Sequence, residues 1–327
     1  MVEELRILKQ AERHRHHLMS RNLRHILYFV LVSYSIAWAV ALPLWLGNGL
    51  FDEKFRLLAG IMMFTPGLSA LFMVFVIERG PKKFARLGLW PLKPAKRFIL
   101  YMLLGFLVPV ALILQALLVG SMLGLYPGDF TEFSGFKFAI QYQLALAGET
   151  ELPQPIGVLV ALQFVNVLIG AFINLIPALG EELGWRGWLL PKLMAYGPIP
   201  AILISGVLWG LWHAPLILLG YNYPLAPGWL GLLLMTGMCI SVGAIFGWLR
   251  LRSTSVWPAA LAHATFNAAA GLMLVFVMRG KNTDTINSTI LGWSGWILPL
   301  IFVAILVVTK KFSAPQLSTS PTKRPVN

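Results

Sequence analysis

Eight runs of about twenty mostly apolar residues limit what this chain can fold into more than any other feature. They fall at roughly 25–46, 57–77, 98–124, 156–185, 199–220, 229–249, 255–278 and 290–309. A run of that length matches the hydrocarbon core of a bilayer when it is wound as a helix. Composition agrees: 57% of the residues are hydrophobic and only 12% charged, with mean hydropathy +0.74. A soluble domain averages about 45–50% apolar and about 25% charged residues, so this chain has too little polar surface to face water. The expected fold is an all-α, polytopic membrane bundle of about eight transmembrane helices.

The charge distribution orients the bundle. With the N-terminus inside, the inside segments hold 21 of the 26 Lys and Arg residues and the outside segments hold 5. That split follows the positive-inside rule and places both termini on the cytoplasmic side. It also accounts for the net charge of +13 without a nucleic-acid partner. Residues 1–24 read as a basic cytoplasmic leader, 25–311 as the transmembrane domain, and 312–327 as a disordered cytoplasmic tail. The longest outside loop is expected at about 125–155. The basic stretch 79–97 is a topology determinant that can also meet anionic lipid headgroups. A single cysteine, Cys239, excludes an internal disulfide framework and reads as apolar packing.

Ionisable groups inside a bilayer are costly, so each is a functional candidate. Only Glu181 and Glu182 lie well inside an apolar run among the acidic residues, with Glu78 at the end of another. Four of the six histidines lie at the N-terminal end; His213 and His263 lie within helices. Glu182 and Arg186 are four apart with the acid N-terminal, the favourable order for an intrahelical ion pair. Glu181 is turned by about 100° from Glu182 and keeps no partner within its own helix. Trp209 precedes His213 by one turn, which places the indole over the imidazole, and Pro215 loosens the helix just beyond. His263 and Asn267 share a face among small alanines. The depths of these residues allow Glu181, His213, His263 and Asn267 to converge on one cavity, expected to open to the cytoplasm. A carboxylate base with imidazole and amide donors is what water-mediated amide hydrolysis requires.

These three segments resemble the motifs of the CPBP intramembrane protease family, which includes the type II CAAX prenyl endopeptidases and the bacterial Abi proteins. Two glutamates, three residues and an arginine match Glu181, Glu182 and Arg186. An aromatic, three residues and a histidine match Trp209 and His213, with Trp where Phe is usual. Histidine, three residues and Asn match His263 and Asn267. The resemblance covers about 156–278, the expected catalytic core, and the eight-helix count. It implies an intramembrane endopeptidase acting on a membrane-associated peptide or lipidated protein. Glu181 would activate water with His213 helping to hold it. His263 and Asn267 would steady the oxyanion, and Glu182, Arg186 and Trp209 would brace the site. It leaves the metal open: Glu181, His213 and His263 are the residues that would ligate zinc, and the same three suit metal-free hydrolysis.

Taken singly, each of these residues has a plainer reading. The carboxylates can serve a structural ion-pair cluster, each histidine a buried hydrogen bond, and Asn267 an interhelical one. Two other functions fit the same buried Glu and His. One is a transporter or proton relay, against which stands the absence of an internal repeat. The other is a catalytically silent membrane scaffold. No His-Glu-x-x-His run is present, and neither Ser205 nor Ser241 has the glycine-flanked context of a rhomboid-like serine.

Overall fold

The computed structural model describes residues 2–315 and is helical throughout, with one isolated bridge between Gly128 and Val277 and no strand among the described residues. Helix α1 is Val2–Leu46, so the basic leader and the first span are one continuous helix. Then come α2, Phe55–Ile77; α3, Ala95–Met122; α4, Ser134–Leu146; and α5, Ile156–Tyr196. They are followed by α6, Pro198–Trp212; α7, Gly228–Ser253; α8, Trp257–Val275; and α9, Trp293–Val308. Six helices are long and apolar enough to cross a membrane, and α6 and α9 are shorter apolar helices. The chain is an integral membrane protein built as a polytopic helical bundle. Large apolar side chains left outside the packed interior, such as Phe172 and Ile173 on α5 and Leu103 and Leu107 on α3, face the lipid.

Three expectations change. The fourth run does not stop at 185: α5 continues through a π-helical segment, Leu183–Leu189, and on to Tyr196. Seven residues wound wider than an α-helix mark a site where packing overrides regular pitch. As a result Arg186 lies inside the extended helix, with its side chain 3% exposed. The fifth run does not stay helical to 220 but breaks at His213, with a single turn, Ala214–Ile217, beyond it. Pro215 is the second residue of that turn and lacks an N–H to bond backwards, so the break falls at the histidine itself rather than after it. The loop expected at 125–155 contains α4, a helix with no buried residue.

Helix α8 lies along α5 on one side and α3 on the other, and α6 lies along α7. Close backbone approach makes these contacts. A Cβ on Gly206 would sit 2.6 Å from Ile240 Cα, and one on Gly210 2.5 Å from Thr236 Cα. The pair is a small-xxx-small face, which lets α6 and α7 meet at backbone distance. On the face that carries the chain termini, Glu78 accepts from Lys192 at 2.7 Å and from Arg86, and His25 lies 3.4 Å away. That cluster ties together α1, α2 and the end of α5. Phe312 is 2% exposed and packs near Gly247. The rest of the tail expected at 312–327 lies, from 316, outside the described residues.

Candidate active site

Helices α5, α6 and α8 bring the three motifs together around a cavity of about 490 Å³. Glu181, Trp209, His213, His263 and Asn267 all line it. Glu182 and Arg186 sit behind that wall, with side chains 0% and 3% exposed.

The two adjacent carboxylates have different surroundings. Glu182 Oε1 accepts from Arg186 Nη1 at 2.8 Å and from His263 Nδ1 at 2.8 Å. The expected ion pair is present and also reaches across to α8. Glu181 accepts from the indole Nε1 of Trp209 at 2.9 Å through Oε2, while Oε1 carries no hydrogen bond among the described residues. Helical pitch turned one carboxylate inward to the brace and the other toward the cavity.

Partners fix both imidazoles. His213 Nδ1 lies 2.8 Å from the Trp209 carbonyl, one turn back. A carbonyl or carboxylate oxygen only accepts, so Nδ1 carries the proton in both rings. Each ring is left with Nε2 for other chemistry. The Trp209 indole lies 5.7 Å from the His213 ring and 5.4 Å from the His263 ring. Trp209 therefore does more than cover His213: it bonds Glu181 with its ring nitrogen, holds His213 with its carbonyl, and stacks on Arg186. The Arg186 guanidinium carbon is 4.1 Å from the Trp209 ring centre, a buried cation–π contact. Phe246 stacks on His263 at 5.8 Å and lies 6.1 Å from the Trp209 ring, so the three rings form one cluster. Asn267, one turn beyond His263 on α8, has no hydrogen bond among the described residues, so its amide is available to a ligand.

Residues outside the motifs hold this arrangement. A Cβ on Gly243 would lie 2.6 Å from Arg186 Nη2, so only glycine leaves room for the guanidinium on its indole. Trp212 donates to Thr65 Oγ1 at 3.1 Å and Tyr34 donates to the Leu208 carbonyl, fixing α6 against α2 and α1. A Cβ on Gly184 would meet Pro66 at 2.5 Å, and Gly180 and Gly67 touch backbone to backbone. Gly180 and Gly184 flank the glutamate pair in a small-xxx-small pattern, the sequence signal that marks this contact. Ser205 and Ser241 donate to the carbonyls of Ala201 and Met238, and neither lines the cavity.

One expectation about the site is corrected. The cavity does not open toward the end that carries the chain termini, the end expected from the basic residues to be cytoplasmic. Its rim is formed by Phe55, Arg56, Tyr221, Asn222 and Thr289, at the helix ends away from both termini. The termini side is filled by the Arg186 stack and by Trp185 and Trp188 packed on Phe29. The motifs leave a metal open. Among the described residues no group of three or more His, Cys, Asp or Glu side chains is placed to hold a metal ion, Glu181, His213 and His263 included. Both Nδ1 atoms are already committed to protein oxygens.

Comparison with known proteins points the same way as the motifs. Residues 163–269 match the family model described as "Type II CAAX prenyl endopeptidase Rce1-like". Over 154 residues the chain is 30% identical to "CAAX prenyl protease 2" of Methanococcus maripaludis, which covers 45% of this chain and 51% of that protein. The chain therefore spans about half the length of the curated relative it matches.

Proposed function

Because the chain belongs to the CPBP family of intramembrane proteases, we propose that it is an endopeptidase of the CAAX prenyl protease kind that cuts a membrane-associated protein. The observation that carries the mechanism is the contrast between two neighbouring carboxylates. Glu182 is spent on Arg186 and His263, whereas Glu181 faces the cavity with one oxygen unbonded.

Glu181 takes a proton from a water molecule as the water oxygen attacks the scissile carbonyl carbon. Nε2 of neutral His213 accepts from the same water and fixes its direction of attack. The carbonyl oxygen becomes an oxyanion, and the Asn267 amide and Nε2–H of protonated His263 donate to it. The carbon–nitrogen bond then breaks, and Glu181 returns its proton to the departing amine. Arg186, Glu182 and Trp209 hold the two imidazoles and Glu181 at fixed spacing, so these groups need not reorganise during the reaction. With both termini cytoplasmic, as the basic residues favour, the substrate reaches Glu181 from the opposite side. A C-terminal tag is then reachable only from the cytoplasm; labelling of that tag from outside intact cells overturns the orientation.

The test is cleavage in proteoliposomes of a farnesylated CAAX peptide and a panel of unmodified membrane peptides, comparing wild type with Glu181→Gln. Cleavage that the variant loses supports the reading. Cleavage that survives the substitution removes Glu181 as base. A wild type that cuts none of the peptides turns the reading toward a silent scaffold.

A further inference from the structure

We propose that Arg56 is a specificity-determining residue that binds the free α-carboxylate at the C-terminus of the substrate. This rests on the endopeptidase reading above and names which part of the substrate the cavity mouth recognises.

The cavity has a charge at each end. Glu181 is its acidic group, and Arg56, in the first turn of α2, is its one Lys or Arg among the described residues. Between them the wall is largely apolar, with Met62, Ile113, Leu117 and Met235. Arg56 makes no salt bridge among the described residues, although every other charged group of the site has a partner. Asn222 stands on the same rim with φ 64°, a left-handed conformation that asparagine tolerates better than most residues. A guanidinium and an amide lining the mouth of one apolar slot match a carboxylate, which a planar fork of N–H groups binds in two places.

The distances fit a chain end. The Met63 carbonyl lies 3.1 Å from where a Cβ on Gly180 would stand, so Met63 is level with the residue before Glu181. Arg56 is seven residues earlier on α2. At about 1.5 Å per residue, its backbone lies roughly 10 Å nearer the mouth. An extended peptide covers about 3.3 Å per residue, so about three residues separate a bond at Glu181 from a carboxylate at Arg56. An arginine at a helix end can equally meet a lipid phosphate, and the two anions are separated by changing the peptide alone.

The experiment measures binding, so that it reads independently of cleavage. A farnesylated CAAX peptide with a free carboxylate, and the same peptide as its C-terminal amide, are titrated into full-length Glu181→Gln protein in uncharged detergent. The expected result is binding of the acid about five-fold tighter than the amide. Adding Arg56→Ala should abolish that ratio by weakening the acid only, and Arg56→Lys should restore part of it. Equal binding of acid and amide, or no measurable binding of either, overturns the proposal. So does an Arg56→Ala change that weakens both peptides alike, which would make Arg56 a membrane anchor. Loss of cleavage by wild type with the acid preference intact would instead break the protease reading and leave the carboxylate site standing.

Discussion

From the level of Glu181 toward the termini, helices α2 and α5 touch backbone to backbone at Gly67, Gly180 and Gly184; nearer the mouth they part, and a Cβ on Gly60 would meet nothing within 4 Å. The same two helices thus form a packed half and an open half. The packed half holds Glu182, Arg186, the Trp209 stack and the aromatic plug on Phe29. The open half is the cavity, walled by side chains that touch on only one side. Glu181, His213, His263 and Asn267 stand at the boundary. Hydrolysis needs both conditions at once: groups held still enough to need no rearrangement, and room for a peptide and a water. Glu181 and Glu182 are the smallest version of that contrast, one residue apart on opposite sides of the boundary.

The comparison can be broken in four places, from the largest effect to the smallest. Glu181→Gln should lower kcat by about 10²–10⁴-fold, the usual contribution of a general base, with the thermal midpoint unchanged. A midpoint that falls as far as the rate would place Glu181 in the packed half. Glu182→Ala leaves the buried Arg186 guanidinium without its carboxylate, and loss of one partner of a buried pair costs about 3–5 kcal/mol. Its mark is a large drop in thermal stability in detergent; lost activity at full stability would assign Glu182 a direct chemical part.

Glycine substitutions locate the boundary itself. Gly184→Ala puts a methyl 2.5 Å from Pro66 Cβ and 2.6 Å from its carbonyl oxygen, an overpacking expected to cost about 1–3 kcal/mol. Gly60→Ala meets open space and should be neutral or slightly stabilising. If the two variants unfold together, the packed and open halves are not distinct. The smallest effect is a pH dependence on the open face, in the loop that leads into α4. Asp129 is held below its ordinary range by Ser134, through side chain and backbone, and by the N–H groups of Glu132 and Thr131. A depressed carboxyl stabilises the fold above its unfolded value, about 3.9, and that contribution is lost as pH falls below it. Protection of the amides of Glu132 and Ser134 from hydrogen exchange, taken relative to the intrinsic rate at each pH, should fall below about pH 4 while protection in α7 does not. Unchanged protection at those two amides would show that Asp129 does not hold the loop.

Much of this was legible because lipid is a strict solvent. Apolar length marks the helices, and a titratable group inside one stands out. Glu181, Glu182, Arg186, His213, His263 and Asn267 were all marked by that logic or by motif spacing, and the structure brings them to one place. What stayed hidden depends on neighbours remote in sequence. The bond from His263 to Glu182 spans 81 residues, and the stack of Trp209 on Arg186 needs Gly243 from a third helix. The π-helical turn at Leu183–Leu189 leaves no mark in hydropathy, since wide and regular turns carry the same side chains. The direction of the cavity was misread for the same reason: depth along single helices says where a residue lies, not where two helices separate.

The amino-acid sequence by itself determined that the chain is a membrane-spanning helical bundle and which few polar side chains its interior contains, because unpaired backbone and charge are not tolerated in hydrocarbon. Tertiary structure decided how far the packed half reaches and which way the site opens. Both depend on where close-packed glycines hold α2 and α5 together and where the two helices part, a property of surfaces in contact that no single helix carries.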